Sequence, residues 1–172
     1  MFNLDQHIAR YHDFPKPGIT FYDISPVLEN HNALKSCVDA LTRLAEPYKP
    51  DLIVGLDARG FLFVTPMALI LNAGAIMIRK SGKLPGAVNQ LSYELEYGEA
   101  TLELQKDRDI SGKTIVIVDD LLATGGTISA ANQLISNHGG LVVANIVLIE
   151  LTGLKGREHL IGDVHAIQQY DF

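Results

Sequence analysis

The sequence has one cysteine, Cys37, so no internal disulfide forms and the chain fits a reducing compartment, the cytoplasm. Cys37 lies in a helical pattern and reads as a small core residue. Positive charge is also short: 14 Lys and Arg stand against 20 Asp and Glu, a formal net charge of −6 with a pI near 5.4. That excludes nucleic acid as the main partner, because binding a phosphate backbone needs a basic face. Any polyanionic ligand must be small and held by local positive groups. The first residues, "MFNLDQHIARYHDF", lack the basic region and apolar stretch expected of a secretory signal. One long apolar run exists, Phe61 to Ile78, but Pro66, Asn72 and Gly74 interrupt it and Arg59 and Arg79 bracket it. It is expected to form a helix and then a buried strand, not a membrane span. Repeats, low-complexity tracts and linkers are absent as well. A chain of 172 residues with 47% hydrophobic content is therefore expected to fold as one domain, residues 1–172.

What the chain does have is alternation. Four short β-branched runs, Asp51 to Leu56, Gly74 to Arg79, Thr114 to Asp120 and Leu141 to Glu150, are of the kind buried in parallel sheets. Among them Leu34, Cys37, Val38, Leu41 and Leu44 recur at helical spacing, as do Ile128, Ala131, Leu134 and Ile135. "NHGG", Asn137 to Gly140, stops the second of these helices. The order predicts an α/β fold: a doubly wound, mainly parallel sheet flanked by helices, with ligands at the carboxyl ends of the strands. Gln90 to Gln105 departs from this pattern. It alternates around a turn at Gly98, which predicts an added antiparallel hairpin.

The stretch "IVIVDDLLATGGT", Ile115 to Thr127, carries the most chemistry. A buried strand ends in two adjacent carboxylates, Asp119 and Asp120, at the rim where ligands sit. The loop Ala123, Thr124, Gly125, Gly126, Thr127 then turns into a helix start, where free N–H groups and the helix dipole favour a phosphate dianion. Glycine lets the backbone come close, and the threonine hydroxyls add donors. The carboxylates would repel that phosphate, so they are expected to face sugar hydroxyls that donate to them. The sequence after the glycines is not that of a Walker A loop. "GLDARG" also follows a strand, and its tight turn is suited to present amides and Arg59 to a second phosphate cluster. "IRKSGKLPG" gathers Arg79, Lys80 and Lys83, which are either local counter-charge for such a cluster or a solvated basic loop.

"VIVDDLLATGGT" resembles the 5-phosphoribosyl-1-pyrophosphate signature of the type I phosphoribosyltransferases. "FPKPGITFYDISPVL", "GLDARGFLF", "IRKSGKLPG", "YELEYG" and "LTGLKGREHL" resemble the adenine phosphoribosyltransferases within that family, and the likeness spans nearly the whole chain. The resemblance implies a homodimer that converts adenine and phosphoribosyl pyrophosphate to AMP and pyrophosphate with Mg²⁺. It assigns Asp119, Asp120 and Ala123 to Thr127 to phosphoribosyl pyrophosphate. Asp57, Ala58, Arg59, Arg79, Lys80 and Lys83 fall to the pyrophosphate, with one basic group serving the neighbouring subunit. A non-proline cis peptide is implied between Asp57 and Ala58. Two positions depart from the family: Ala58 stands where serine is common, and Tyr22 where arginine is common.

Displacing pyrophosphate from the anomeric carbon develops oxocarbenium character, so the site must stabilise the leaving group and keep water out. Mg²⁺ bridging pyrophosphate and ribose oxygens meets the first need while keeping several waters, which accounts for the lack of a metal-ligand motif. A lid over roughly residues 80–105 meets the second. Within it Glu96 matches the family's acid toward N7 of adenine, with Tyr97 beside the base and Arg59 the other catalytic group. Without the motif, Glu94, Glu96 and Glu99 are equivalent hairpin charges. Adenine is expected against the segment of residues 1–30, with Ile19, Thr20 and Phe21 as wall and backbone partners. Phe21 is equally readable as core. Two other classes compete: a phosphoribosyltransferase for another purine base, and a regulator that senses phosphoribosyl pyrophosphate without catalysis.

Overall fold

The computed structural model describes residues 3–95 and 98–171. The chain opens with a small antiparallel sheet of β1 (Ala9–His12) and β2 (Thr20–Asp23), then helices α1 (Ser25–Glu29) and α2 (His31–Ala45). There follow β3 (Leu52–Leu56), α3 (Phe61–Leu71), β4 (Gly74–Lys80) and the strands β5 (Val88–Leu95) and β6 (Gly98–Gln105). β7 (Thr114–Leu122), α4 (Gly126–Ser136), β8 (Leu141–Leu151) and β9 (Asp163–Tyr170) complete it. Among the described residues one seven-stranded sheet runs in the order β5-β6-β4-β3-β7-β8-β9, parallel from β4 to β9. This is the doubly wound sheet that the alternation implies.

Period-two burial explains why both faces of the sheet are covered. Ile53, Val116 and Val118 face α2 and α3, packing with Cys37, Leu41, Phe63 and Met67. Val54, Leu56, Ile115 and Ile117 face the other way, against Ile128, Leu134 and Ile135 of α4. Helix α2 begins where the Asn30 side chain accepts from the Ala33 amide at 3.0 Å. Burial pushes the Cys37 thiol up to about 12, which makes it a core group and not a nucleophile. α4 stops at "NHGG" as expected, with Gly139 at φ 82° and the Gly140 amide on the Ile135 carbonyl.

The apolar run splits into α3 and β4 as expected, with Pro66 inside the helix. β4 is not the buried strand anticipated, because only Ile78 in it is fully covered. β6 pairs with β4 only at Arg79 and Lys80, and Leu62, Leu69 and Ile70 of α3 are exposed as well. The hairpin is present, paired from Val88 with Gln105 to Leu95 with Gly98. Its turn, Glu96 and Tyr97, lies outside the described residues.

Leu41 is fully buried between α2 and the sheet, so Leu41→Ala is expected to cost about 2–5 kcal/mol in urea unfolding with an unchanged denaturant slope.

Candidate active site

β3 lies between β4 and β7, and successive crossovers leave it in opposite directions, which opens a crevice beyond the carboxyl ends of β3 and β7. Gly55 pairs with Val118, so the loop Asp57 to Gly60 leaves β3 beside Asp119 and Asp120, while β7 runs on beside β8 to Leu122 before the loop Ala123 to Gly125. The cis peptide between Asp57 and Ala58 is present. Gly60 has no room for a side chain, since a Cβ there meets the Val118 carbonyl at 2.7 Å.

The crevice holds the two carboxylates together. The Asp120 amide donates to Asp119 Oδ1 at 2.9 Å, and Arg59 Nε stands 2.8 Å from Asp120 Oδ2. Asp120 is 4% exposed, and its Oδ2 meets Arg59 at ion-pair distance without an aligned hydrogen bond among the described residues. Burial raises both carboxyls above the ordinary aspartate range. The Asp120 charge raises Asp119 further, whereas Arg59 draws Asp120 back down. Such acceptors are unsatisfied in a way that sugar hydroxyls relieve.

Arg59 also reaches the base segment, its guanidinium 5.1 Å from the Phe21 ring centre. Phe14 packs edge-on against Phe21 at 5.3 Å. Phe21 is half-buried and belongs to neither core cluster, so the structure favours a wall of the crevice over core. Ile19 is exposed, and Thr20 Oγ1 lies 3.2 Å from His12 Nδ1. Tyr22 brings no charge of its own, and its ring centre lies 5.9 Å from the Arg10 guanidinium. It stacks on Tyr170 at 4.7 Å, and Tyr170 donates to Asp5 at 2.6 Å, which ties the base segment to β9.

Of the basic trio, two members are brought to the loop after β3. Arg79 Nε donates to the buried Asp57 carboxylate at 3.1 Å, and Lys83 Nζ lies 3.7 Å from it. Lys80 is exposed and has no ion-pair partner among the described residues. Ala58 is exposed and offers no hydroxyl.

Beyond β7, Ser129 N bonds the Gly125 carbonyl at 2.8 Å, leaving earlier amides of the first turn of α4 free for an anion. The reason for Gly125 differs from the sequence expectation. It has φ 84°, and a Cβ there meets the Gly156 carbonyl at 2.5 Å, so packing from behind demands it before any ligand does. Gly126 has ordinary room, with the Tyr93 ring 3.7 Å from a built Cβ. Tyr93 Oη lies 3.0 Å from Thr127 Oγ1, docking the hairpin on this loop. A cavity of about 240 Å³ opens there, lined by Tyr93, Glu94, Thr124, Gly126, Ser129 and His159.

Sequence reasoning missed Glu103. It is buried on β6 and accepts from Ser81 Oγ at 2.9 Å, the Gly82 amide at 3.1 Å and Gln90 Nε2 at 2.8 Å. The Gly82 bond above all holds its carboxyl below the ordinary range. The basic loop is thus anchored at its base. An exposed hairpin charge and a buried one look alike in an alternating pattern.

Residues 23–167 match the model of the phosphoribosyl transferase domain. An adenine phosphoribosyltransferase of Acidiphilium cryptum is 46% identical over 169 residues, 98% of this chain and 99% of that protein. The solved adenine phosphoribosyltransferase of Thermoanaerobacter pseudethanolicus superposes with a TM-score of 0.93 at 45% identity, covering 97% of this chain and 98% of that one. That of Saccharomyces cerevisiae, solved with an imino-altritol bisphosphate and adenine, gives 0.89 at 38%, covering 94% of each. Fold and crevice define a type I phosphoribosyltransferase. Within that class the chain belongs to the adenine phosphoribosyltransferase family.

A charged carboxylate accepts from a sugar hydroxyl more strongly than a neutral carboxyl, and Asp119 gains its charge as pH rises through its raised value. Affinity for ribose 5-phosphate is therefore expected to rise with pH from the acid side, and Asp119→Asn to flatten that rise in calorimetric titrations. Folding runs oppositely: the raised carboxyl contributes its stability fully below the unfolded value of about 3.9 and loses it as pH climbs through the folded one.

Proposed function

We propose that the protein transfers the ribosyl phosphate of 5-phosphoribosyl-1-pyrophosphate to N9 of adenine, releasing AMP and pyrophosphate. The observation that carries this reading is Arg59, set between the Asp120 carboxylate and the Phe21 ring, which joins a sugar-binding rim to an aromatic wall. The 5-phosphate belongs on the amides from Ala123 to Thr127, the ribose hydroxyls on Asp119 and Asp120, and the pyrophosphate near Arg59, Arg79 and Lys83. Two of these cations share Asp57, so their charge is held in place and not left to solvent. Adenine lies against Phe21, with Ile19, Thr20 and Tyr97 around it.

As the bond to pyrophosphate breaks, positive charge grows on the sugar ring and negative charge on the leaving group. Asp119 and Asp120 face the former, Arg59 and the basic loop the latter. Mg²⁺ adds charge neutralisation at the phosphate oxygens. Asp119 and Asp120 are the residues that would meet such an ion, the rest of its shell coming from substrate oxygens and water. Glu96 supplies the proton to N7, and the hairpin keeps water off the sugar. Lys80 belongs with the pyrophosphate through the lid's closure or the second subunit. No described helix is long and apolar enough to cross a membrane. We place the reaction in the cytoplasm, as the lone buried cysteine suits.

The same reading includes a homodimer. α3, which follows directly on the Arg59 loop, and β4 leave apolar residues uncovered, with Leu69 77% and Met77 50% exposed. Leu69→Asp is expected to shift the sedimentation of the protein from dimer to monomer. A monomeric parent would remove the dimer from the reading.

The activity is tested with purified protein, phosphoribosyl pyrophosphate, Mg²⁺ and each purine base in turn. AMP from adenine is expected, and faster nucleotide formation from hypoxanthine or guanine overturns the assignment. Glu96→Gln is expected to slow single-turnover AMP formation by about 10²–10⁴, the usual yield of general acid catalysis, with adenine affinity little changed. Glu94→Gln, on the exposed strand before the turn, is the comparison. A larger loss there transfers the role.

A further inference from the structure

The motif "LTGLKGREHL" has no part in the chemistry above, yet the structure places it against the back of the phosphate loop. Two glycines meet there. A Cβ on Gly125 falls 2.5 Å from the Gly156 carbonyl, and a Cβ on Gly156 overlaps the Ala123 carbonyl and lies 2.9 Å from the Gly125 amide. The two backbones touch with no side chain between them, so the course of Ala123 to Gly125 depends on where Gly156 is held.

Gly156 is held from both sides. Arg157, the next residue, donates from Nε and Nη2 to the two carboxylate oxygens of Glu150 at 2.6 and 2.5 Å. Glu150 is 1% exposed at the end of β8, and Gln169 of β9 donates to it at 2.8 Å. The Arg157 bond above all keeps its carboxyl below the ordinary range, so the clamp stays charged down to acid pH. On the far side the buried Asn132 and Asn145 form a closed ring with Ile161. Asn132 Nδ2 donates to Asn145 Oδ1 at 2.7 Å, Asn145 Nδ2 to the Ile161 carbonyl at 2.7 Å, and the Ile161 amide to Asn132 Oδ1 at 2.6 Å. Asn132 sits on α4 and Asn145 on β8, so the segment is pinned to the same helix whose start carries the anion site.

We infer that Glu150 and Arg157 are positioning residues for the sugar phosphate, acting through Gly156 on the loop Ala123 to Gly125. The inference rests on the reading of that loop as the 5-phosphate cradle. Neither side chain touches the substrate. Arg157 is spent on a buried carboxylate, and its service is geometric: it fixes the backbone that fixes the amides.

The test separates two anions that the site holds by different loops. In the folded parent, ribose 5-phosphate reports on the loop after β7, and pyrophosphate on the loop after β3. Calorimetry on Glu150→Gln is expected to show ribose 5-phosphate affinity falling roughly tenfold with pyrophosphate affinity within twofold. Arg157→Lys keeps the charge and loses the two-pronged contact, so it should fall between parent and Glu150→Gln. Gly156→Ala perturbs the loop without touching the ion pair and should give the same selective loss. In kinetics the Michaelis constant for phosphoribosyl pyrophosphate should rise while that for adenine stays.

Equal losses for both anions, or unchanged ribose 5-phosphate affinity in folded Glu150→Gln, overturn the inference. Should Glu150→Gln fail to fold, Arg157→Lys and Gly156→Ala decide by the same criterion. A parent that binds no ribose 5-phosphate instead refutes the reading of the cradle itself, a different failure from a parent that binds and variants that bind equally.

Discussion

Two neighbouring carboxylates near the end of β7, Asp120 buried and Asp119 half-buried, are the constraint that the rest of the crevice answers. Burying a carboxylate without partners costs several kcal/mol, and Asp119 and Asp120 also repel one another. Arg59 at 2.8 Å relieves Asp120 only in part, and Asp119 has its neighbour's amide. The sheet makes this position possible. At the switch between β3 and β7 the loop after one parallel strand arrives close enough to bring the Arg59 guanidinium to the Asp120 carboxylate on its neighbour. The residual strain of charge is the feature a hydroxyl-rich ligand relieves, so the same arrangement that is costly when empty is selective when filled.

Around that pair the crevice is divided into parts held by different devices. Amides at the start of α4 are set by backbone contact with Gly156, whereas the basic loop is set by the buried carboxylates Asp57 and Glu103. Phe21 and its neighbours precede residue 23, where the match to the phosphoribosyl transferase domain begins. In the proposed reading, the base wall thus lies outside the stretch matched to the phosphoribosyl transferase domain. Its anchor is Tyr22 stacked on Tyr170, with Arg10 beside both rings. Tyr22 keeps this segment fixed by ring stacking, with a cation supplied from the paired strand at Arg10.

Most of the fold is legible in the sequence because burial on both faces leaves a direct imprint. Ile115 to Val118 must be apolar in succession when helices cover each side, and no other arrangement of a short run explains it so simply. β1 and β9 leave fainter marks, since their positions are half-exposed and polar residues such as Gln168 and Gln169 are tolerated. β4 shows the limit of the rule. Its apolar residues match a buried strand, yet Met77 stands open on the face of the sheet. Composition reports that a face is apolar, and only topology reports whether this chain itself covers it.

The site divides along the same line. Asp119, Asp120 and the loop to Thr127 are contiguous, so their chemistry is visible as a motif. Glu103 and Glu150 stand in no motif, and Gly156 and Arg157 stand in "LTGLKGREHL" without showing what they hold, because each acts through packing and resembles an ordinary charge or turn residue. Glu150 is the instructive case: as the last polar residue of an apolar strand it marks only where the strand ends. Its meaning appears when Arg157 folds back over it and carries Gly156 against Gly125. Residues that touch a ligand must share a local geometry and tend to be written together. Residues that hold such a geometry in place need only be neighbours in space, so a sequence read from its motifs finds the cradle and misses what keeps it in shape.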